Sequence, residues 1–312
     1  MNLKRDLLSI TDLSRQEIWQ VLNLAAKLKK ELKETGKNKL SLHDKNIAML
    51  FDKPSLRTKL SFSVGISQLG GHSIYFGHHE VGLGTRESVS DIARVISGMA
   101  DVVIARVFFQ TDLEKLAAAS TIPVINALSD LEHPCQALAD FLTIWELKGK
   151  LEGLTLAYVG DGENNIAHSL ALGCTLLGIH FRCASPEGFR INQEISKKAK
   201  QEAMLNGTEF VETDNPSVAA KNADVIYTDT WISMGDEREK EKRLQIFADF
   251  QVNKKLMDSA QKNVIFMHDM PVYRGNEVAP EVVDGTQSVI FHQAENRLHA
   301  QKALLETLIN VF

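Results

Sequence analysis

The stretch NIAMLFDKPSLRTKLSFSVGISQLG, residues 46–70, contains the pattern that decides the fold. Residues 46–51 form an apolar run typical of a buried strand, and a short polar turn then leads into a helical pattern over 55–69. Ser55 can cap that helix, and Arg57 and Thr58 lie in its first turn. The free N–H groups at such a helix start suit a phosphate, although a serine-capped helix with a surface arginine fits this stretch equally well.

The same alternation of strand and helix runs along the chain. Strands are predicted at 46–51, 72–76, 101–107, 123–128, 154–160, 180–185, 225–229, 264–268 and 288–291. Helices are predicted at 55–69, 88–99, 112–119, 134–148, 166–177 and 191–205, after a first helix that begins at the capping box Ser14–Glu17, and a last helix begins near ENRLHAQKA. This order predicts an α/β fold with mostly parallel sheets covered by helices on both faces.

Length and composition indicate a globular protein of about two domains. The 312 residues include 44% hydrophobic residues, and the polar, glycine-containing segment 146–154 is the candidate boundary. We therefore expect domains at 1–147 and 148–290, followed by a C-terminal helix at 291–312. The net charge of -5 argues against a general nucleic-acid binder.

Cysteine usage and hydropathy give the expected location. The cysteines are three in number, Cys135, Cys174 and Cys183, and no CxxC pair occurs, so we expect a reduced cytoplasmic setting without a structural metal. The N-terminus has no apolar run typical of a signal peptide, and no stretch approaches the about 18 apolar residues of a membrane span.

Polar residues follow several predicted strands, where ligands of parallel sheets bind. Arg106 stands among apolar residues near a strand end, and a buried arginine there needs an anion, from a carboxylate or a substrate. His133 and Gln136 are spaced to lie over the entry of one helix, although a neutral capping histidine is a serious alternative for His133.

The second half of the chain has its own strand-end residues. Gly160-Asp161-Gly162 lacks the third glycine of a dinucleotide loop, so we do not predict a nucleotide cofactor. Asn164 and Asn165, at the next helix start, can orient a carboxylate. Asp229 ends a buried strand and should meet a cation, either a nearby basic side chain or a substrate ammonium.

Taken together, these strings resemble the carbamoyltransferases. The resemblance rests on seven motifs in the family's order and spacing: SLRT, ARVFFQ, HPCQALADFLTIWE, VGDGENN, DTWISMG, HDMP and ENRLHAQKA. DTWISMG and HPCQALAD are similar to the ornithine branch of the family. The resemblance covers nearly the whole chain and implies two similar domains with a cleft between them, a C-terminal helix that packs on the first domain, a homotrimer, and no cofactor or metal.

The resemblance also implies the substrates, which are carbamoyl phosphate, bound by the domain at 1–147, and L-ornithine, bound by the domain at 148–290. It further implies the residues that bind them. For carbamoyl phosphate these are Ser55, Leu56, Arg57, Thr58, Gly82, Arg106, His133, Gln136, Asp269, Met270 and Arg297. For ornithine they are Asn165, Asp229, Ser233 and Met234. The catalytic residues implied are Thr58, Arg106, His133 and Asp269.

Four positions depart from the family pattern. Leu56 replaces a threonine, Gly82 replaces a polar residue, and His268-Asp269-Met270-Pro271 replaces His-Cys-Leu-Pro. A carboxylate at 269 about 4 Å from phosphate would cost on the order of 4 kcal/mol at an effective dielectric constant of 20. That cost disappears if Asp269 faces the ornithine amines or stays protonated. A carbamoyltransferase for another amine, such as putrescine, lysine or a modified ornithine, and a binding paralogue with an impaired site are the alternatives.

Overall fold

The computed structural model describes residues 4–232 and 239–310. Its strands are β1 Asn46–Phe51, β2 His72–Gly77, β3 Val102–Arg106, β4 Val124–Leu128, β5 Thr155–Val159, β6 His180–Ala184, β7 Phe210–Thr213, β8 Val225–Tyr227 and β9 Ile265–Met267. Its α-helices are α1 Arg15–Thr35, α2 Leu56–Gln68, α3 His78–Val81, α4 Val89–Ser97, α5 Gln110–Ala119, α6 Pro134–Lys148, α7 Asn165–Leu177, α8 Gln193–Asn206, α9 Pro216–Ala220, α10 Lys240–Ile246, α11 Lys254–Asp258, α12 Pro280–Val283 and α13 Ile290–Asn310.

The chain divides into two compact units. The first comprises Met1–Leu142 with Glu295–Phe312, and the second comprises Thr143–Ala294. The domain limits predicted from the sequence lie a few residues from these, and the assignment of one ligand to each domain stays a prediction. The α/β fold with helix-covered parallel sheets is confirmed in both units.

The sheet of the first unit has the strand order β2-β1-β3-β4, and all of its pairs are parallel. The chain moves outward from β1 to β2 and then returns to the other side of β1, so the strand order reverses between β1 and β3. In register, Phe51 of β1 lies beside Arg106 of β3. Ligands of open parallel sheets bind at the carboxyl ends of the strands at such a reversal.

The sheet of the second unit has the order β7-β6-β5-β8-β9 and is again parallel. Its strand order reverses between β5 and β8, where Tyr158 pairs with Tyr227. Tyr227 in turn pairs with Met267 of β9. The residues that follow β5, β8 and β9 therefore meet at one edge of this sheet.

The C-terminal helix α13 packs on the first unit, as predicted, through buried polar contacts. Lys29 donates to Asn296 Oδ1 at 2.6 Å. Lys302 donates to Asn38 Oδ1 at 2.7 Å and to Gln68 Oε1 at 2.8 Å. Each buried ammonium thus has hydrogen-bond acceptors, as a buried charge requires.

Two strand assignments differ from the prediction, and the short helices α3, α9, α11 and α12 were not predicted either. The strand expected at 288–291 is wrong, because α13 begins at Ile290, and only Ser288 makes an isolated bridge to Phe266. The strand β7 (Phe210–Thr213) was not predicted. Within 4–232 and 239–310, no helix combines the length and apolarity needed to cross a membrane.

Candidate active site

The first cluster of polar side chains lies where β1 and β3 end in the first unit. Ser55 caps α2, since its hydroxyl oxygen accepts from the Thr58 N–H at 3.2 Å. Ser55 also donates to Thr58 Oγ1 at 3.0 Å, and Thr58 is fully buried. The helix start expected from SLRT is therefore formed, with Arg57 in its first turn.

Arg297 of α13 joins this helix start to α6. One arm of its guanidinium donates to Thr58 Oγ1 at 2.6 Å, and the other donates to Gln136 Oε1 at 2.6 Å. Gln136 is held in turn, because its amide donates to Asp140 Oδ1 at 2.8 Å. The structure thus brings together residues from three distant motifs that were each predicted to bind carbamoyl phosphate.

His133 is a neutral imidazole in this cluster. Burial lowers its pKa well below the usual value, and the nearby guanidinium groups of Arg297, Arg106 and Arg57 lower the pKa further. Three arginines that all act on one buried histidine concentrate positive charge at one place, which favours an anionic ligand. A neutral imidazole can still donate a hydrogen bond to such a ligand.

Leu56 and Gly82 are placed differently. The Leu56 side chain is 76% exposed. Gly82 has a φ of 54°, and a Cβ at that position would lie 2.9 Å from the Arg86 Cβ, so this loop conformation requires glycine. In the part of the chain that the structure describes, neither residue joins the hydrogen bonds of the first cluster, and their predicted roles stay predictions.

The second cluster lies in the second unit, beyond the ends of β5, β8 and β9, and its centre is Asp229. Asn164 donates to Asp229 Oδ2 at 2.7 Å, and the Thr230 N–H donates to Oδ1 at 2.7 Å. Asn164 also caps α7 by accepting from the Ile166 N–H at 2.8 Å. Asn165, the residue predicted to bind ornithine, is the first residue of α7, and its role stays a prediction.

The Met270 N–H and the Glu277 carboxylate hold His268 in one tautomer. Its Nδ1 accepts from the Met270 N–H at 2.9 Å, so the proton is on Nε2, which lies 3.3 Å from Glu277 Oε1. The Gln293 side chain accepts from the His268 N–H at 2.9 Å. His268 is therefore a neutral group that supports the loop, with no lone pair left for a substrate or a metal ion.

Asp269 lies beside Asp229. Carboxylate oxygens of both residues and His268 Nδ1 lie within 4.8 Å of one another. Two carboxylates at this separation would repel by at least about 3.5 kcal/mol at an effective dielectric constant of 20. Burial raises the pKa of Asp229 well above its usual value, as do the charge of Asp269 and a hydrogen bond between the two carboxyl groups. Because the lone pair of Nδ1 is used, the pair suits an ammonium group better than a metal ion.

Arg243 is a residue of this region that sequence reasoning missed. It belongs to the charged run DEREKEKR, 236–243, whose composition is typical of a solvated surface, but Arg243 is buried and donates to Asp161 Oδ2 at 2.7 Å. It also donates to the Trp231 carbonyl at 3.1 Å. Asp161 lies in the β5–α7 turn, three residues before Asn164. The ion pair with Arg243 therefore supports the turn that positions Asn164 against Asp229. Ser233 and Met234 lie outside the described residues.

The partial glycine motif at 160–162 has a packing explanation. The Gly162 N–H donates to the Phe189 carbonyl at 2.9 Å, and a Cβ on Gly162 would lie only 2.7 Å from that oxygen. Glycine is required here by the close approach of two backbone segments. The pattern therefore needs no nucleotide to account for it.

Fold and site together define a two-unit α/β protein. One unit has a cluster of arginine and neutral polar side chains, and the other has a pair of neighbouring carboxyl groups. Residues 5–146 match the family model of the aspartate/ornithine carbamoyltransferase carbamoyl-P binding domain, and residues 152–308 match that of the Asp/Orn binding domain. The chain belongs to the aspartate/ornithine carbamoyltransferase family.

Individual relatives agree with this assignment. The chain is 51% identical over 307 residues to the ornithine carbamoyltransferase of Methanosarcina mazei, covering 98% of this chain and 100% of the relative. The solved structure of the Pyrococcus furiosus ornithine carbamoyltransferase is 48% identical and superimposes with a TM-score of 0.94, covering 98% and 97% of the two chains. That of the Campylobacter jejuni anabolic enzyme is 38% identical, with a TM-score of 0.93 and coverage of 99% and 100%.

Proposed function

We propose that the protein transfers the carbamoyl group of carbamoyl phosphate to the side-chain amine of L-ornithine, which gives L-citrulline and phosphate. The observation that carries the proposal is the first cluster, in which the charges of Arg297, Arg106 and Arg57 all lower the pKa of the buried His133, a residue of the matched carbamoyl-P binding domain. Relatives that match the chain along nearly its full length bear the name ornithine carbamoyltransferase.

Carbamoyl phosphate binds to the first cluster in this proposal. The backbone N–H groups at the start of α2 and the guanidinium of Arg57 take the phosphate charge. Ser55, Gln136 and Arg297 complete the site, and Arg297 keeps Thr58 and Gln136 in place through its two hydrogen bonds. Leu56 contributes only its backbone, because its apolar side chain has no donor for phosphate.

The chemical step needs a neutral amine and stabilisation of an oxyanion. The ornithine side-chain amine attacks the carbamoyl carbon, and the carbonyl oxygen gains negative charge. The carbonyl then reforms as the C–O bond to phosphate breaks, and the departing phosphate takes the proton that the amine loses. Arg106, neutral His133 and Thr58 donate hydrogen bonds to the developing oxyanion in the proposed mechanism. Donors that are already positioned cost no reorganisation during the reaction, which is why a buried and hydrogen-bonded cluster suits this role.

Ornithine binds to the second cluster. Asp229, oriented by Asn164 and the Thr230 N–H, is the acceptor for an ammonium group of the amino acid. Asn165, Ser233 and Met234 remain predicted ligands. The roles of Asp269 and Met270 in binding carbamoyl phosphate also remain predictions, and the position of Asp269 beside Asp229 favours an amine as its partner instead.

Assembly and location belong to the same proposal. The protein forms a homotrimer, and exposed apolar side chains on the first unit, among them Ile74, Val95 and Met99, support association of subunits. A cytoplasmic location is supported by Cys135, Cys174 and Cys183, all of which are free and buried.

Steady-state kinetics test the function. Purified protein with saturating carbamoyl phosphate and L-ornithine should form citrulline and phosphate in equal amounts. Parallel reactions with putrescine and L-lysine identify a different acceptor. Product from one of these amines but not from ornithine would replace the proposed acceptor, and absence of product with all three would overturn the activity.

A further inference from the structure

Asp269 and Asp229 form a carboxyl pair that needs a proton when no cation is bound. Asp229 follows β8 by two residues and Asp269 follows β9 by two residues, and Tyr227 and Met267 are partners in the β8–β9 register. The carboxylate oxygens of Asp229 and Asp269 lie within 4.8 Å of one another, so the repulsion between two buried charges favours one proton on the pair when no cation is bound.

The oxygens of the two carboxyl groups differ in their hydrogen bonds. Asp229 already accepts from Asn164 and from the Thr230 N–H. Within the described residues, Asp269 Oδ1 is enclosed and accepts no hydrogen bond. An enclosed carboxylate oxygen without a donor is costly, so it marks a position for a donor that arrives with a ligand. His268 Nδ1 lies 3.7 Å from this oxygen but is itself an acceptor for Met270, so it cannot be that donor.

We infer that Asp269 is a specificity-determining residue that, with Asp229, binds the non-reacting ammonium group of the acceptor in exchange for the proton the two carboxyl groups share. The inference rests on the proposed function and deepens it. An ammonium group has three N–H donors, enough to supply both carboxylates at once. The acceptor class that follows is an amino acid with a free α-ammonium in addition to the amine that reacts.

The charge of the pair decides which amine it binds. Two carboxylates favour the charged form of a nearby amine and therefore keep it protonated. The attacking amine must be neutral, because only a free lone pair can form the new C–N bond. The pair thus suits the ammonium that does not react, and it would hinder a nucleophile placed in the same position.

Other titratable groups lie around the pair among residues 4–232 and 239–310. Burial raises the pKa values of Tyr158 and Cys183, so both remain protonated. His268 is neutral and paired with Glu277. Asp161, which Arg243 contacts, has a pKa raised to about 6 by burial and also titrates in the relevant range. A variant is therefore needed to distinguish protons released by Asp161 from protons released by the pair.

Calorimetry with L-2-aminopentanoate tests the exchange in the unmodified protein. This compound has the α-ammonium and α-carboxylate of ornithine but lacks the reacting amine. It is titrated into the protein with saturating carbamoyl phosphate, at several pH values from 5.5 to 8, in two buffers of different ionisation enthalpy. We expect proton release on binding toward the acidic end and tighter binding as the pH rises. Binding without proton release across this range would overturn the inference, as would absence of binding.

Asp269→Asn provides the matched comparison. The amide keeps the shape and can donate to Asp229, so Asp229 no longer needs the shared proton, and proton release should disappear while Asp161 still titrates. The KM for ornithine should rise by about 10- to 150-fold, the range expected for one lost hydrogen bond to a charged group, with little change in the KM for carbamoyl phosphate. Asp284→Asn, an exposed carboxylate that pairs with Arg274, is the control and should behave as wild type.

Two outcomes distinguish this inference from the proposed function. An enzyme that makes citrulline but shows the same ornithine KM in D269N disproves the role of Asp269 alone. A protein that makes no citrulline yet binds L-2-aminopentanoate with proton release keeps the ammonium site and loses the proposed reaction. If D269N changed only the KM for carbamoyl phosphate, Asp269 would be a carbamoyl phosphate ligand, and the inference would be wrong.

Discussion

Arg297 connects two parts of the first cluster that lie far apart in the chain. Its two arms donate to Thr58 and Gln136, both at 2.6 Å, and it contributes to the low pKa of His133. A planar guanidinium can serve two acceptors in a fixed geometry, whereas an ammonium cannot. Arg297 thus supports its neighbours, and in the proposed function it also supplies a positive charge to the ligand.

Arg297→Lys separates these two roles, because lysine keeps the charge and loses the two-armed geometry. We expect kcat/KM for carbamoyl phosphate to fall by about 10- to 150-fold, the equivalent of one hydrogen bond to a charged group. Steady-state kinetics at saturating ornithine measure the effect. Arg274→Lys, at an exposed arginine, should leave the kinetics unchanged, and an R297K enzyme with wild-type kcat/KM would contradict the role given to Arg297.

Individual residues also show where sequence reasoning succeeds and where it stops. Six predicted ligand-binding residues could be selected from the sequence because each lies at a strand end or near a helix start, namely Ser55, Arg57, Thr58, Arg106, His133 and Gln136. Asn164 and Asn165 occupy adjacent positions of one helix start, and only the backbone conformation decides which side chain caps and contacts Asp229. Arg243 stands in a run of charges, and no local pattern reveals that its partner is Asp161, 82 positions away.

At the scale of elements, α13 explains the misassigned strand. The residues Val289, Ile290 and Phe291 form an apolar, partly β-branched run that is typical of a strand. The helix that follows buries a polar face, which includes Gln293, Asn296 and Arg297. Hydrophobic periodicity cannot reveal a helix whose buried side chains are polar, because the pattern depends on apolar residues. The missed β7 is short and only partly buried, so it gives a weak alternating signal.

The ion pair between Arg243 and Asp161 gives a prediction about the turn between β5 and α7. In Arg243→Met, the buried Asp161 carboxylate loses its partner, and its pKa should rise above the present value of about 6. A carboxyl group with a raised pKa in the folded state contributes stability at low pH that is lost as the pH rises through that pKa. We expect R243M to lower the free energy of unfolding by about 3–5 kcal/mol at pH 8 and by less at pH 5.5. Denaturant unfolding at the two pH values measures the difference.

The double variant supplies the control for this prediction. Arg243→Met combined with Asp161→Asn has no carboxylate left to titrate at this position. Its denaturant midpoint should therefore differ from wild type by a nearly constant amount across the same pH range. Equal costs of R243M at both pH values would show that Asp161 does not depend on Arg243.

At the scale of the whole molecule, the first and second clusters of polar side chains each lie where the strand order of their own unit reverses. In the first unit this lies beyond β1 and β3, and in the second beyond β5 and β8. The alternation of strands and helices made both parallel sheets predictable. Because the carboxyl ends of parallel strands share one edge, that edge was also the expected position of the polar residues. The order of the strands within each sheet was not predictable from that alternation, because it depends on pairing between distant segments.

Assembly is testable through the exposed apolar side chains of the first unit. Val95 and Met99 are 54% and 77% exposed, and both lie in or just after α4. If they are buried between subunits, two glutamates in their place should dissociate the proposed trimer, because unpaired charges in an interface are costly. Light scattering of V95E/M99E should report a smaller species than wild type. Met204→Glu, at a methionine 84% exposed on α8, should not change the mass, and a V95E/M99E trimer would argue against this interface.

The buried thiols have a consequence for chemical reactivity. Cys135, Cys174 and Cys183 are fully enclosed, and burial raises the pKa of Cys135 to about 12 and that of Cys183 further. Electrophiles and peroxide react with exposed thiolates, which these residues do not provide. The loop after β9 has a carboxyl group at position 269 and no thiol. These three buried cysteines are all that the sequence contains, so the folded protein should keep its activity in the presence of alkylating agents that modify exposed thiols.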